Sequence, residues 1–279
     1  MTTILAVLEK GAQFLSQKGI KDARLNMELL VAHELGLKRM DLYLRFDQTI
    51  PEESLISLRE KLKKRGQRTP LQHITGTVEF YRDSFKSDAR ALIPRPETEE
   101  LVELIHKAEF PKPARILDLG CGSGVLGMSI ARALGRDCGQ LILADLSTEA
   151  LALAKENSER LNVPCELIES DLFAALTGTF DVIAANLPYV AESVRDELEP
   201  ELRHDPEMAL FSGADGLDCL RRFASECSGY LNPGGLLALE VGFDQGEAIA
   251  QLLKDGGLTE VTVARDLSGI ARFPLARKS

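Results

Sequence analysis

Apolar residues recur at helical spacing from the start of the chain. Ile4, Leu5, Leu8, Ala12 and Leu15 predict a helix over 3–18 that Gly19 stops. Leu25, Leu29, Leu30 and Ala32 predict a second helix over 24–35, ending at Gly36. A shorter segment follows at 38–45. A further helix over 52–65 opens behind Pro51, with Glu52 and Glu53 in the first turn, where acids suit the helix dipole. This is the pattern of a small helical bundle. From 74 to 93 the period changes to that of two short strands and a turn, and Pro96 then starts a helix along TEELVELIHKA. Beyond Pro111 and Pro113, strands at 115–119, 141–145, 165–170, 181–186 and 235–242 alternate with helices near 124–135, 148–161, 216–230 and 244–255. Such alternation predicts a parallel sheet with right-handed crossovers, and strands at 261–265 and 270–276 add an antiparallel edge. The chain therefore divides into a helical domain over 1–73, a β-hairpin linker over 74–93 and an α/β domain over 94–279.

The 279 residues suffice for two domains, and 44% hydrophobic with 27% charged content is that of a soluble globular protein. No apolar run approaches the ~20 residues that span a bilayer, and Glu9 and Lys10 come too early for a signal peptide. No membrane association is expected. Five cysteines, an odd number without a CxxC pair, point to reduced thiols, no metal site and a cytoplasmic location. The net charge of −10 is uneven: residues 1–90 carry +4 and residues 91–279 carry −14. An acidic C-terminal part disfavours broad contact with a nucleic-acid backbone, so no direct nucleic-acid partner is expected.

The first α/β strand runs into Asp118-Leu-Gly120-Cys121-Gly122-Ser123-Gly124. Glycines at a strand-to-helix turn let the backbone approach a ligand, and the helix N-terminus favours negative charge. Asp145 ends the second strand, placed to accept hydrogen bonds from a ribose diol, and Asp171-Leu172 ends the third, beside an adenine. Two ligands fit this pattern. Gly122, Gly124 and Gly127 satisfy GxGxxG, with Asp145 at nearly the spacing of a dinucleotide site. Against that, an acid at Asp118 would repel a pyrophosphate but suits the ammonium and sulfonium groups of S-adenosylmethionine. The fourth strand ends in Asn186-Leu187-Pro188-Tyr189, facing the same crevice at the carboxyl ends of the strands. An Asn side chain offers both an acceptor and a donor. With the Pro188 carbonyl as a second acceptor and Tyr189 as a planar wall, the segment suits a planar amide or ring amine.

DLGCGSG with NLPY resembles the class I, S-adenosylmethionine-dependent methyltransferases that act on amino groups, whose usual signature is (N/D)-P-P-(Y/F). The segments IPRPETEELVE (93–103), TPLQHITG (69–76) and DPEMALFSGADGL (205–217) narrow the resemblance to the peptide chain release factor N5-glutamine methyltransferases (HemK/PrmC), from about residue 20 to the C-terminus. Leu187 departs from the commoner first proline, and Leu172 stands where some members carry a tryptophan. The resemblance implies a Rossmann-like seven-stranded sheet with an antiparallel edge behind a helical substrate-recognition domain. It implies S-adenosylmethionine as donor, S-adenosylhomocysteine as product, and the glutamine of the Gly-Gly-Gln motif of release factors as acceptor. Carried over residue by residue, Gly120, Cys121, Gly122, Ser123, Gly124, Asp145, Leu172 and Asn186 contact the donor. Asn186, Leu187, Pro188 and Tyr189 hold the glutamine, with Asn186 and Pro188 as the catalytic pair.

An amide nitrogen is a poor nucleophile, and no strong base stands in these motifs: His33, His73, His106 and His204 all lie outside them. Catalysis by positioning is the expectation, with the Asn186 side-chain oxygen and the Pro188 carbonyl accepting the two amide N–H groups. Arg95, Glu97, Thr98 and Glu99 either line the crevice entrance or merely start a helix. Lys61, Lys63, Lys64, Arg65 and Arg68 read either as charge complementary to a helix C-terminus or as a docking patch for the substrate protein. Exocyclic-amine methylation of adenine or guanine in DNA or RNA, a dinucleotide-dependent dehydrogenase and a non-catalytic binding module remain as alternatives at this level.

Overall fold

The computed structural model describes residues 2–279. It divides into two compact units: the residues up to Thr77 with Glu199–His204, and Val78–Leu198 with Asp205–Ser279.

In the first unit α1 (Ile4–Gln17), α2 (Ala23–Leu35) and α3 (Glu52–Gly66) stand where the apolar spacing predicts them. Thr3 caps α1 by accepting the Ala6 N–H at 3.3 Å, and Gly36 ends α2 in the left-handed region. Their apolar faces meet in a core built on Leu8, Leu15, Met27, Leu30 and Leu58. The segment at 38–45 forms a 3-10 turn (Arg39–Leu44), and α4 (Leu71–Thr75) is a single turn too short to show a period in sequence. The basic run is mostly used inside this unit. Lys61 donates to Glu34 at 2.7 Å, Arg65 donates to Asn26 at 2.7 Å and to Glu201 at 3.0 Å, and Arg68 reaches Glu201 at 3.4 Å. Only Lys63 and Lys64 of the five are left exposed to serve as a docking patch. The ion pairs to Glu201, and that of Lys21 with Glu199, join 199–204 to the helices; pairs so distant in sequence carry no local signal.

The second unit begins with the hairpin β1 (Thr77–Phe80) and β2 (Asp83–Lys86). A separate linker over 74–93 needs correcting. Val78, Phe80 and Phe85 are buried in the same core as α5 (Thr98–Lys107) and α6 (Val125–Leu134), so the hairpin belongs to the α/β unit and the boundary falls after Thr77. The main sheet contains β3 (Ala114–Leu119), β4 (Cys138–Asp145), β5 (Glu166–Glu169), β6 (Phe180–Asn186), β7 (Leu231–Glu240), β8 (Thr259–Arg265) and β9 (Ala271–Arg277). Their spatial order is β5-β4-β3-β6-β7-β9-β8. The first five are parallel, while β9 runs antiparallel to both β7 and β8, as expected for the closing edge.

Strand alternation assigns the two faces. Ile116, Val182, Ala184, Leu236 and Ala238 join the core with α5, α6 and α7 (Thr148–Leu161). Leu117, Ile183, Leu237 and Leu239 join the opposite core with α8 (Asp218–Tyr230) and α9 (Gly246–Asp255). Covering on both faces is why these strands read as nearly continuous apolar runs. The chain moves outward from β3 through β4 to β5, then returns to place β6 on the other side of β3. The strand order therefore reverses between β3 and β6, where an open α/β sheet leaves a crevice beyond its strand ends.

Candidate active site

The glycine loop closes tightly onto the sheet. The Gly120 and Cys121 N–H groups both donate to the Ala144 carbonyl, at 2.8 and 3.0 Å. Gly120 has φ +70° and its Cα faces Leu187, whose Cδ2 would lie 2.8 Å from an added Cβ, so a side chain here would enter the crevice. Asn157 of α7, fully buried, donates to the Ser123 carbonyl at 3.0 Å and ties the loop from behind. The Asp118 carboxylate accepts the Gly127 N–H in the first turn of α6 at 2.7 Å. Burial, with the nearby charge of Asp145, pushes Asp118 up to about 7, against the opposing pull of that hydrogen bond.

Asp145 accepts the Gly122 N–H on one oxygen and the Ser147 N–H on the other, both at 2.8 Å. Burial raises its pKa as well. Each oxygen retains a lone pair for a further donor. Leu172 is held at φ +49° in a turn locked by the Ser170 hydroxyl, which donates to the Leu172 carbonyl at 2.7 Å. Asp171 is occupied by an exposed ion pair with Arg222 at 2.9 Å.

Asn186 closes the arrangement from β6. Its Nδ2 donates to Thr98 Oγ1 at 3.3 Å, and the residue lines the crevice. Downstream, the Tyr189 carbonyl accepts Gln245 Nε2 at 2.9 Å, anchoring the segment to the loop after β7.

These groups surround one cavity of about 270 Å³, lined by Gly120 to Ser123, Asp118, Asp145, Leu172, and Asn186 to Pro188. Two expected residues stand apart. Gly124, at φ +79°, lies under α6, where an added Cβ would meet Met128 Cε at 2.7 Å; its role is close packing. Tyr189 packs against the α8–α9 core instead of lining the cavity, and burial pushes its hydroxyl up to about 12. The lining also includes Leu92, Arg95, Thr98, Met208 and Phe211. Thr98 and Arg95 therefore do more than start a helix. Met208 and Phe211 lie in the DPEMALFSG stretch, whose sequence marks a turn-rich loop but not which side chains face inward.

Residues 6–76 match the PrmC N-terminal domain and residues 96–215 the methyltransferase small domain. A Deinococcus radiodurans release factor glutamine methyltransferase is 36% identical over 277 residues, covering 98% of this chain and 98% of the relative. A Geobacter sulfurreducens protein of the same name is 38% identical over 273 residues, covering 97% and 95%. The chain belongs to the release factor glutamine methyltransferase family. Among solved structures, a Pyrococcus furiosus methyltransferase aligns with TM-score 0.51 at 18% identity, covering 70% of this chain and 88% of that one. The Thermus thermophilus 16S rRNA N2 methyltransferase in complex with AdoMet and guanosine also reaches 0.51 at 18% identity, covering 73% and 50%. At such identity these two establish the fold, a class I methyltransferase sheet, which the family's methyltransferase domain shares.

The cavity's chemistry fits a cationic methyl donor. Asp118 and Asp145 are acids whose burial disfavours their charged forms, a situation that a positively charged ligand reverses. Because the folded-state pKa of Asp118 is raised, its contribution to stability is full below the unfolded value near 4 and is lost as pH rises through about 7. Donor binding should run the other way. Affinity for S-adenosylmethionine should rise up to about tenfold per unit from pH 5.5 to 7 and level off above, and Asp118→Asn should flatten that dependence. Titration calorimetry across this range checks it; an unchanged slope in the variant would remove Asp118 as the linked group.

Proposed function

We propose that this protein transfers the methyl group of S-adenosylmethionine to the side-chain amide nitrogen of the glutamine in the Gly-Gly-Gln motif of a peptide chain release factor, giving N5-methylglutamine and modifying the machinery of translation termination. The observation that carries the reading is the full-length relation to the release factor glutamine methyltransferases, joined to Asn186 lining the cavity that the glycine loop borders. Exocyclic-amine methylation of a nucleic acid suits the Asn186–Tyr189 segment equally well as chemistry, but the α/β part is strongly acidic.

The residues act by holding and aiming. Gly120 to Ser123 present backbone rather than side chains to the donor, Asp145 accepts from its ribose, and Leu172 supplies an apolar wall for its adenine. Asn186 Oδ1 and the Pro188 carbonyl accept the two N–H bonds of the glutamine amide, which fixes the nitrogen's direction and draws electron density onto it. Leu187 and Pro188 keep water from the amide's faces. Bound S-adenosylmethionine supplies the electrophilic methyl: the amide nitrogen takes it, the S–C electron pair stays on sulfur as S-adenosylhomocysteine, and the nitrogen's spare proton leaves to water. Alignment of this kind is worth up to ~7–11 kcal/mol of barrier, enough to dispense with a strong base. Cys121, Cys138, Cys165, Cys219 and Cys227 are all free thiols, which fits a reducing cytoplasmic setting. No helix among the described residues is long and apolar enough to cross a membrane.

Mass spectrometry of a purified release factor, after incubation with the protein and S-adenosylmethionine, tests the reading. A single added methyl on the Gly-Gly-Gln glutamine is the expected result. No modification, with donor binding intact, overturns the substrate.

A further inference from the structure

Glu240 ends β7, the last residue of an otherwise apolar run, and it is 1% exposed. It is the direct neighbour of Asn186 across the β6–β7 pair. The partners two residues earlier, Ala184 and Ala238, face the core with α5 and α6. Strand alternation therefore turns Asn186 and Glu240 to the same face, at adjacent strand ends about 4.8 Å apart. Thr98, fully covered at the start of α5, completes the group. Its Oγ1 accepts Asn186 Nδ2, and its hydroxyl and the Asn186 amide both act on the Glu240 carboxylate in the sense that favours charge. One carboxylate oxygen, Oε2, is buried without a hydrogen-bond partner. An acid kept in this position, partly unsatisfied, costs stability that an aliphatic residue would not.

An asparagine amide can occupy its site in two nearly isosteric orientations, and its neighbours' acceptors decide between them. We propose that Glu240 is a positioning residue for methyl transfer: together with Thr98 it presents only acceptors to the Asn186 NH2 group and so turns the Asn186 oxygen towards the substrate amide. The inference rests on the glutamine-methylating reading above. Glu240 does not line the cavity and acts only through Asn186. Protonated, it would become a donor and compete for the Asn186 oxygen, so its charge state gates the orientation. Burial pushes it up to about 7. From β9, Arg272 opposes that shift, while Glu97 before α5 reinforces it, and Tyr189 beyond β6 lies within electrostatic reach. The ionised, orienting form is lost as pH falls through that value.

The test compares kcat and KM for a purified release factor at saturating donor, from pH 5.5 to 9, in the wild type, Glu240→Ala and Glu240→Gln. Saturating donor removes the Asp118 linkage from kcat. Glu240→Ala should lose about 10²-fold in kcat with KM changed little, the scale of a misaimed reactant. Glu240→Gln cannot titrate and, like the protonated acid, places a donor beside Asn186. It should hold the low activity of the protonated wild type at every pH, and so lack the acid limb near pH 7. Glu240→Ala within threefold of the wild type would overturn the proposal. So would Glu240→Gln as active as the wild type above pH 8, or retaining the wild-type acid limb. If Glu240→Ala does not fold, the Gln pH profile alone decides. A wild type that binds donor yet leaves the release factor unmodified would overturn the substrate reading and this proposal with it.

Discussion

Asn186→Ala should lower kcat for methyl transfer by about 10²–10³-fold, while donor affinity changes less than about tenfold, in a protein that remains folded. The side chain is held through its Nδ2, which donates to Thr98, and the proposed mechanism has its oxygen accept an N–H of the substrate amide. Removing it deletes an interaction that strengthens as the amide nitrogen gains positive character, so the loss falls on the chemical step. By analogy with preorganised polar contacts to a developing charge, that is about 2.7–4 kcal/mol. Single-turnover kinetics with saturating release factor, beside a donor titration, separates the step from binding. Near-normal turnover in the folded variant would end the positioning mechanism. Asn186→Asp tells the same story from the other side. It keeps an acceptor but places a carboxylate beside Glu240, and like charges at that distance raise one of the two acids. Its activity should therefore recover only towards high pH.

Phe173→Ala carries the largest expected effect on stability. Phe173 is fully buried, stacks on Tyr230 with centroids 4.5 Å apart and packs against Phe223 at 5.5 Å. Its carbonyl also accepts the Tyr230 hydroxyl at 3.3 Å. Truncation to alanine opens a cavity in the α8–α9 core and should cost about 3–5 kcal/mol, lowering Tm by roughly 6–20 °C in a unit of this size. The effect should reach the site, because Leu172 sits one residue before it in a left-handed conformation that the Ser170 hydroxyl and the surrounding packing sustain together. Donor affinity should fall along with stability. Denaturant titration and donor binding on one preparation check both; a loss below about 1 kcal/mol, or a full loss with donor affinity unchanged, would show that Leu172 is not supported from this core.

Local chemistry along the chain accounts for much of this molecule. Helical periodicity in the first 66 residues and strand–helix alternation after Pro113 place α1 to α3 and β3 to β9 within a few residues of where they form, because each element must bury an apolar stripe or face of its own. The motifs at the ends of β3, β4 and β6 converge on one cavity because a parallel sheet gathers the carboxyl ends of its strands on one edge, wherever they lie in sequence. Gly120 to Ser123, Asp145, Leu172 and Asn186 to Pro188 were thus legible before any coordinates.

What only the tertiary structure decided depends on contacts between residues far apart. The hairpin at 77–86 looks like a connector in sequence, yet Phe80 and Phe85 make it part of the α/β core. Arg65 and Arg68 look like a surface patch, yet they bind Glu201 across more than 130 positions. Gly124 and Tyr189 carry the motif's identity but pack inward, since a loop's sequence constrains its backbone more than the direction of each side chain. Glu240 is an unremarked acid at the end of a strand until β6 and β7 align it with Asn186. Periodicity and turn chemistry are written in neighbouring residues, so the sequence alone determined the elements and the location of the site. Register, burial and charge pairing arise only when those elements meet, and the tertiary structure therefore decided which groups face the cavity and which hold them there.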